Sequence, residues 1–155
     1  MRALLAAGLA IVMVTVGAVS AQAASTTVQG TGSYDKLVVN NGTQNLVFKV
    51  FAPGGECDIR YLRVKFRDRD GTRYTMEAGC YPGAVWAASL VRGQTIVDCS
   101  GFTLTYNTER SVWTGKIPRT CLIGLGGDVK VTESFVDDYS PMVNEVPPTG
   151  YVNQG

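Results

Sequence analysis

Hydrophobic and polar residues alternate along most of the chain beyond residue 23, which is the pattern of half-buried β-strands. Turn-forming pairs such as Asn41-Gly42 and Asp70-Gly71 separate the alternating segments, and no segment there has the apolar stripe of an amphipathic helix. We therefore predict an all-β fold, a two-sheet antiparallel β-sandwich of about eight or nine short strands. The predicted strands are Lys36–Asn40, Leu46–Phe51, Asp58–Arg67, Thr72–Glu77, Ala84–Val91, Thr95–Cys99, Phe102–Tyr106, Ser111–Ile117 and Asp128–Phe135.

Two of these strands do not alternate cleanly. In Asp58–Arg67, the apolar residues up to Tyr61 fall in one phase and those after it fall in the other. A bulge near Tyr61 would reconcile the two phases. In Ala84–Val91, both faces carry apolar residues, so this strand is predicted to be buried on both sides, with Trp86 in the core.

The first 23 residues have the pattern of a secretory signal peptide. Arg2 precedes an apolar run from Ala3 to Val19, and the small residues Ala21 and Ala23 fit positions −3 and −1 of a cleavage site. The run is rich in Ala and Gly and short for a membrane span. We therefore predict cleavage after Ala23, secretion, and no stable membrane insertion after cleavage.

The rest of the chain is predicted to form one domain with two flanking segments. Residues 24–34 are an N-terminal extension, residues 35–140 are the β-sandwich domain, and residues 141–155 are an extended C-terminal tail. The tail begins where alternation ends, and it contains Pro147-Pro148. It either remains extended or lies on the body as an edge segment.

The charges nearly balance. The chain has 14 basic and 13 acidic residues, and Arg2 is the one charged residue of the predicted signal peptide. The secreted part is therefore close to neutral, and it has no block of like charges. Since nucleic-acid binding depends on a positive field, we expect no nucleic-acid partner.

The four cysteines indicate two disulfides, because an exported protein folds in an oxidising compartment. The pairs Cys57–Cys80 and Cys99–Cys121 each flank a predicted hairpin, so these bonds would join strand ends that already lie close together. The alternative is a metal site built from the four thiolates. It is disfavoured because the cysteines lack the short paired spacings of such sites.

The absence of histidine restricts catalysis. It excludes Ser-His-Asp and Cys-His hydrolysis and the imidazole ligands of most catalytic zinc sites. No phosphate-binding motif is present, and no cofactor is expected. Paired carboxylates remain as a catalytic option. Four aspartates are also candidate calcium ligands, with turn capping and surface charge as the alternative: Asp68, Asp70, Asp137 and Asp138.

Two kinds of binding residue stand out. Trp113, Tyr74 and Tyr81 are candidate aromatic platforms for a ligand, because sugar binding on a β-sandwich needs flat aromatic side chains beside polar groups. Arg119 and Thr120 follow Pro118 and precede a cysteine. This segment has the character of a rigid, disulfide-anchored loop that could inhibit a trypsin-like protease. The favoured alternative is a strand that ends at Pro118 and is stapled by Cys121.

The later half of the sequence also carries a resemblance to a known group. The segments concerned are Asp98–Tyr106, Val112, Lys116–Leu122, Val129–Val131 and Asp138–Pro141. In these segments the chain resembles small exported actinobacterial proteins of unknown function, which look like DOMON-type or carbohydrate-binding-module-like sandwiches. The resemblance covers most of residues 35–155 in pattern. It implies a disulfide corresponding to Cys99–Cys121 and implies no activity.

These observations predict a secreted, non-catalytic binding domain. Carbohydrate is the first expectation for its ligand, and a cell-surface component or another extracellular protein is also compatible. Two alternatives are a secreted proteinase inhibitor that presents the loop at Arg119-Thr120 and a small carboxylate-dependent hydrolase.

Overall fold

The computed structural model describes residues 23–31, 35–52, 60–81, 84–137 and 144–155. The predicted signal peptide, except for Ala23, lies outside the described residues. Within the described ranges there are eleven strands, one turn of 3₁₀-helix and no α-helix. The elements are β1 (Ala24–Gln29), β2 (Lys36–Asn41), β3 (Asn45–Phe51), β4 (Arg60–Arg67), β5 (Arg73–Tyr81), β6 (Ala84–Arg92), β7 (Thr95–Ile96), β8 (Thr103–Asn107), β9 (Val112–Pro118), the 3₁₀ turn (Arg119–Cys121), β10 (Lys130–Asp137) and β11 (Asn144–Val146).

The strands form two antiparallel sheets. The order in the five-stranded sheet is β1-β2-β3-β9-β8, and the order in the six-stranded sheet is β11-β10-β4-β5-β6-β7. The predicted all-β, two-sheet architecture is confirmed. The strand count is higher than predicted because β1 lies in the segment predicted as an extension and β11 lies in the predicted tail. Both are edge strands, which can be held by backbone pairing without a strong hydrophobic pattern.

The hydrophobic core lies between the two sheets. The ring of Phe48 in the five-stranded sheet lies 5.0 Å from the ring of Phe66 in the six-stranded sheet. Met76 of β5 occupies the space over Gly115 of β9, where a Cβ would meet its sulfur. This close approach explains why glycine stands in the middle of a buried strand.

The side chains of β4 alternate regularly between the core and the outer face of the sheet. β4 pairs with β5 in continuous register over its whole length, so the predicted bulge near Tyr61 is wrong. Leu62 faces the core with no exposed surface, whereas Tyr61 and Arg63 lie on the opposite, outer face. The apolar residue Tyr61 therefore belongs to the surface of the sheet.

A β-bulge lies instead in β6. The pairing of β5 with β6 shifts register between Glu77 and Gly79, and Ala87 of β6 has a φ of 50°. The extra residue reverses the alternation, so Leu90 faces the core and Trp86 faces outward. The prediction that Trp86 belongs to the core is therefore wrong, because its side chain is 54% exposed.

One of the two predicted disulfides is found among the described residues. Cys99 and Cys121 are bonded, with their Cα atoms 5.4 Å apart, and the bond closes the open end of the β8–β9 hairpin. Cys80 also belongs to a disulfide. Its predicted partner Cys57 lies outside the described residues, so the pairing Cys57–Cys80 stays a prediction.

The C-terminal segment packs against one end of the sandwich. Val152 is buried and forms a two-way backbone bridge with Val129, and the amide of Gly155 donates to the carbonyl of Asn41 in the other sheet. Thr149 is also buried and pairs with the backbone of Val131. Residues 149–155 therefore belong to the folded body. The described ranges contain no helix with the length and apolar character needed to cross a membrane.

Candidate functional site

The outer face of the six-stranded sheet carries four cross-strand rows of side chains, because residues alternate between the two faces of its strands except at the register shifts in β6 and β10. The row at one end is Lys130, Arg67 and Arg73, and we call it the cationic row. The next two rows are Glu133, Lys65, Thr75 and Val91, followed by Phe135, Arg63, Glu77 and Ser89. The row at the other end consists of Asp137, whose side chain lies outside the described part of the structure, Tyr61, Gly79 and Trp86.

Trp86 is the most prominent side chain of this face. Its indole covers Gly79 of the neighbouring strand, and a Cβ added to Gly79 would lie only 2.6 Å from two of the ring atoms. The indole thus packs against the backbone of β5 while more than half of the side chain remains exposed. Packing of this kind holds an aromatic ring in one place on the surface of a sheet.

Next to this indole lies a hydrogen-bonded cluster of three polar side chains. The hydroxyl of Tyr61 donates to Glu77 Oε2 at 2.5 Å, and Arg63 Nε donates to the same oxygen at 3.2 Å. The Arg63 guanidinium also donates to the Tyr61 hydroxyl at 3.1 Å and lies 5.2 Å from the centres of the Tyr61 and Phe135 rings. The three side chains therefore hold one another in a defined arrangement.

This arrangement also affects the ionisation of its members. Burial, and then the hydrogen bond to the Glu77 carboxylate, raise the pKa of the Tyr61 phenol above its ordinary value of 10.0. Burial acts to lower the pKa of Arg63, but the contacts with Tyr61 and Glu77 outweigh it and raise this pKa. At neutral pH the cluster therefore holds a cation, a carboxylate and a neutral phenol.

The aromatic residues predicted as a ligand platform lie elsewhere. Trp113 has no exposed surface and packs against the ring of Tyr106 at 5.0 Å, because it shares the inward phase of β9 with Ile117. Tyr74 is 1% exposed, and its hydroxyl donates to the carbonyl of Ile123. These two predictions are wrong, since a buried ring cannot stack on a ligand. The side chain of Tyr81 lies outside the described part of the structure.

The side chain of Arg119 is half-buried and hydrogen-bonded to another part of the chain. Its guanidinium donates to Asn41 Oδ1 and to the carbonyl of Gly42 at 3.1 Å, and burial lowers its pKa. An inhibitory loop must instead offer an extended backbone and an exposed side chain to the protease. The interpretation of Arg119 and Thr120 as an inhibitory loop is therefore wrong, because they stand in a 3₁₀ turn with the arginine side chain engaged.

The candidate metal ligands act as turn residues where they are described. Asp68 is buried, and its two carboxylate oxygens accept the backbone N–H groups of Thr72 at 2.8 Å and Gly126 at 2.7 Å. Asp70 is exposed in the same hairpin turn. Among the described residues, no group of three or more acidic, cysteine or histidine side chains could hold a metal ion. The side chain of Asp137 and the whole of Asp138 lie outside them.

The comparisons with known proteins identify no relative: no family model, curated protein or solved structure matches the chain. The resemblance to small exported actinobacterial proteins therefore stays a prediction. The candidate site depends on the geometry of the outer face alone. Sequence reasoning missed Tyr61, Arg63 and Glu77, although the strict alternation of β4 from Tyr61 onward already placed Tyr61 and Arg63 together on a wet face.

Proposed function

We propose that this protein is an exported, non-catalytic module that binds carbohydrate on the outer face of its six-stranded sheet. The observation that carries the proposal is the exposed indole of Trp86 beside the hydrogen-bonded cluster of Tyr61, Arg63 and Glu77. A sugar ring has an apolar face and a rim of hydroxyl groups. It therefore suits an aromatic surface flanked by donors and acceptors that are already fixed in place.

Export is supported by independent features. The sequence from Arg2 to Ala23 has the pattern of a signal peptide, and β1 begins at Ala24, directly after the predicted cleavage site. The disulfide between Cys99 and Cys121 suits an oxidising compartment. An exported protein with an aromatic surface meets polysaccharides of the cell wall or of the medium.

The experiment that tests this function is a titration of the protein with soluble polysaccharides, followed by tryptophan fluorescence and by calorimetry. Replacement of Trp86 by Ala should weaken binding by about 30-fold, which corresponds to the loss of a central aromatic contact. The buried Trp113 remains in this variant, and its emission reports whether the core is intact.

The matched control is Ile123→Ala, because Ile123 is another exposed hydrophobic side chain, 68% accessible, and follows the 3₁₀ turn rather than belonging to the row of Trp86. It should bind as the unaltered protein does. If no polysaccharide binds, or if both variants lose affinity equally, the outer face is not a carbohydrate-binding surface.

A further inference from the structure

The cationic row places three positive charges side by side. Lys130 pairs with Arg67 across β10 and β4, and Arg67 pairs with Arg73 across β4 and β5. Residues directly opposite each other on one face have Cβ atoms about 5 Å apart, and like charges in such positions repel. The fold therefore keeps an arrangement that is unfavourable without an anion.

The described part of the protein supplies no paired counter-charge to this row. Within the described residues, none of its three members forms an ion pair, and the carboxylate of Glu133 in the next row is bound to Lys65 at 2.8 Å. The Nε atom of Arg67 is buried and has no hydrogen-bond partner among the described residues. A buried donor without a partner is costly, so the arginine is held here at an energetic cost.

The three residues of the row line a groove of about 720 Å³, together with the ion pair of Lys65 and Glu133. The turn at Gly93-Gln94 lines it on the side of Arg73, and Pro148 of the C-terminal segment lines it on the side of Lys130. Arginine guanidinium groups bind carboxylates through two parallel hydrogen bonds. The two arginines of the row therefore suit a ligand that carries carboxylates.

We propose that the carbohydrate is an acidic polysaccharide whose carboxylate groups bind the cationic row. The inference rests on the proposed function, because the same sugar chain is taken to continue along the outer face to Trp86. Arg67 lies six positions beyond Tyr61 in β4, a distance of about 20 Å that accommodates several sugar residues.

Charge along the face favours a polysaccharide over a nucleic acid. Glu133 and Glu77 lie in the two rows between the cationic row and Trp86. The phosphates of a nucleic acid would lie against these carboxylates, and DNA has no free hydroxyl groups along its chain that could donate to them. A sugar chain can direct hydroxyl groups to the same acceptors.

The test compares matched polymers. The protein is titrated by calorimetry with polygalacturonate, alginate and hyaluronate, each beside its methyl-esterified form, and with single-stranded oligothymidylate. The acidic forms should bind about tenfold more tightly than their esters, and the difference should shrink as salt is added. The double variant R67Q/R73Q should remove this preference, so that it binds the acidic polymers and their esters equally.

The control K49Q/K116Q changes the net charge equally, and its two lysines are exposed on the outer surface of the five-stranded sheet. It should keep the preference. If acidic and esterified polymers bind equally, or if R67Q/R73Q keeps the preference, the inference fails while the carbohydrate function stands. If no polysaccharide binds, the proposed function fails and the inference with it. Tighter binding of the oligonucleotide than of every polysaccharide would overturn the acidic-polysaccharide ligand in favour of a nucleic acid.

Discussion

At the scale of single residues, Tyr61 shows how one hydroxyl can link a charged pair to an aromatic surface. It lies on the outward side of β4, donates to Glu77 and accepts from Arg63. Because the phenol donates to a carboxylate, its neutral form is favoured in the folded protein. The hydrogen bond therefore holds the cluster together only while Tyr61 keeps its proton.

This linkage predicts the response of the protein to alkaline pH. Since the folded pKa of Tyr61 lies above 10.0, its contribution to stability is fully present below pH 10 and is lost as the pH rises through the folded pKa. An ultraviolet titration of the phenolate band should show one tyrosine fewer ionising above pH 10.0 in Tyr61→Phe. In Glu77→Gln, the Tyr61 phenol should ionise closer to 10.0. Ionisation of Tyr61 at or below 10.0 in the unaltered protein would contradict the assignment.

At the scale of the elements, β8 depends most on a covalent link. It lies at the edge of the five-stranded sheet, and its one strand partner is β9. The 3₁₀ turn that follows β9 carries Cys121 back to Cys99, which precedes β8. The disulfide thus closes a hairpin that backbone pairing alone would hold weakly.

Replacing Cys99 and Cys121 together by Ala should lower the free energy of unfolding by about 2–5 kcal/mol, the usual effect of losing a native disulfide in a small exported domain. Urea denaturation followed by Trp113 fluorescence measures this change. The neighbouring variant Ser100→Ala keeps the bond and should remain within about 0.5 kcal/mol of the unaltered protein. Equal midpoints for the double variant and the control would show that the bond contributes nothing.

At the scale of the whole molecule, Asn41 joins the five-stranded sheet to the C-terminal segment and to the loop before β10. It is fully buried, and its Nδ2 atom donates to the carbonyls of Gly127 at 2.8 Å and Val152 at 2.7 Å. Its Oδ1 atom accepts from the guanidinium of Arg119. One amide therefore satisfies groups from three separate parts of the chain.

Asn41→Ala should lower the free energy of unfolding by about 3 kcal/mol, because the buried carbonyl of Val152, the partly buried carbonyl of Gly127 and the half-buried guanidinium of Arg119 all lose this partner. Hydrogen exchange gives the specific readout, since the amide of Val152 should exchange faster once the C-terminal segment is released. Asn40→Ala, on the opposite side of the same strand, is the control and should change neither quantity. Unchanged exchange at Val152 in Asn41→Ala would show that the segment is held by other contacts.

Local sequence determined which segments are strands and which cysteines could meet. Alternation identified β2 to β10, and the hairpin between Cys99 and Cys121 was recognisable because its turn and both strands are contiguous in the chain. Tyr74 and Trp113 were predicted as ligand platforms although both share the phase of inward apolar neighbours, so better use of the alternation would have placed them in the core.

Tertiary structure alone decided the surface of the candidate site. A single extra residue in β6 reverses the facing of Trp86, and this bulge depends on the register with β5. The cationic row exists because β10, which is distant in sequence, pairs beside β4 and brings Lys130 to Arg67. The side chain of Arg119 turns inward because its acceptors, Asn41 and Gly42, lie at the β2–β3 hairpin, which is distant in sequence. Sequence alternation determines which residues of a strand share a face, whereas strand order and register decide which strands lie side by side and so which side chains meet.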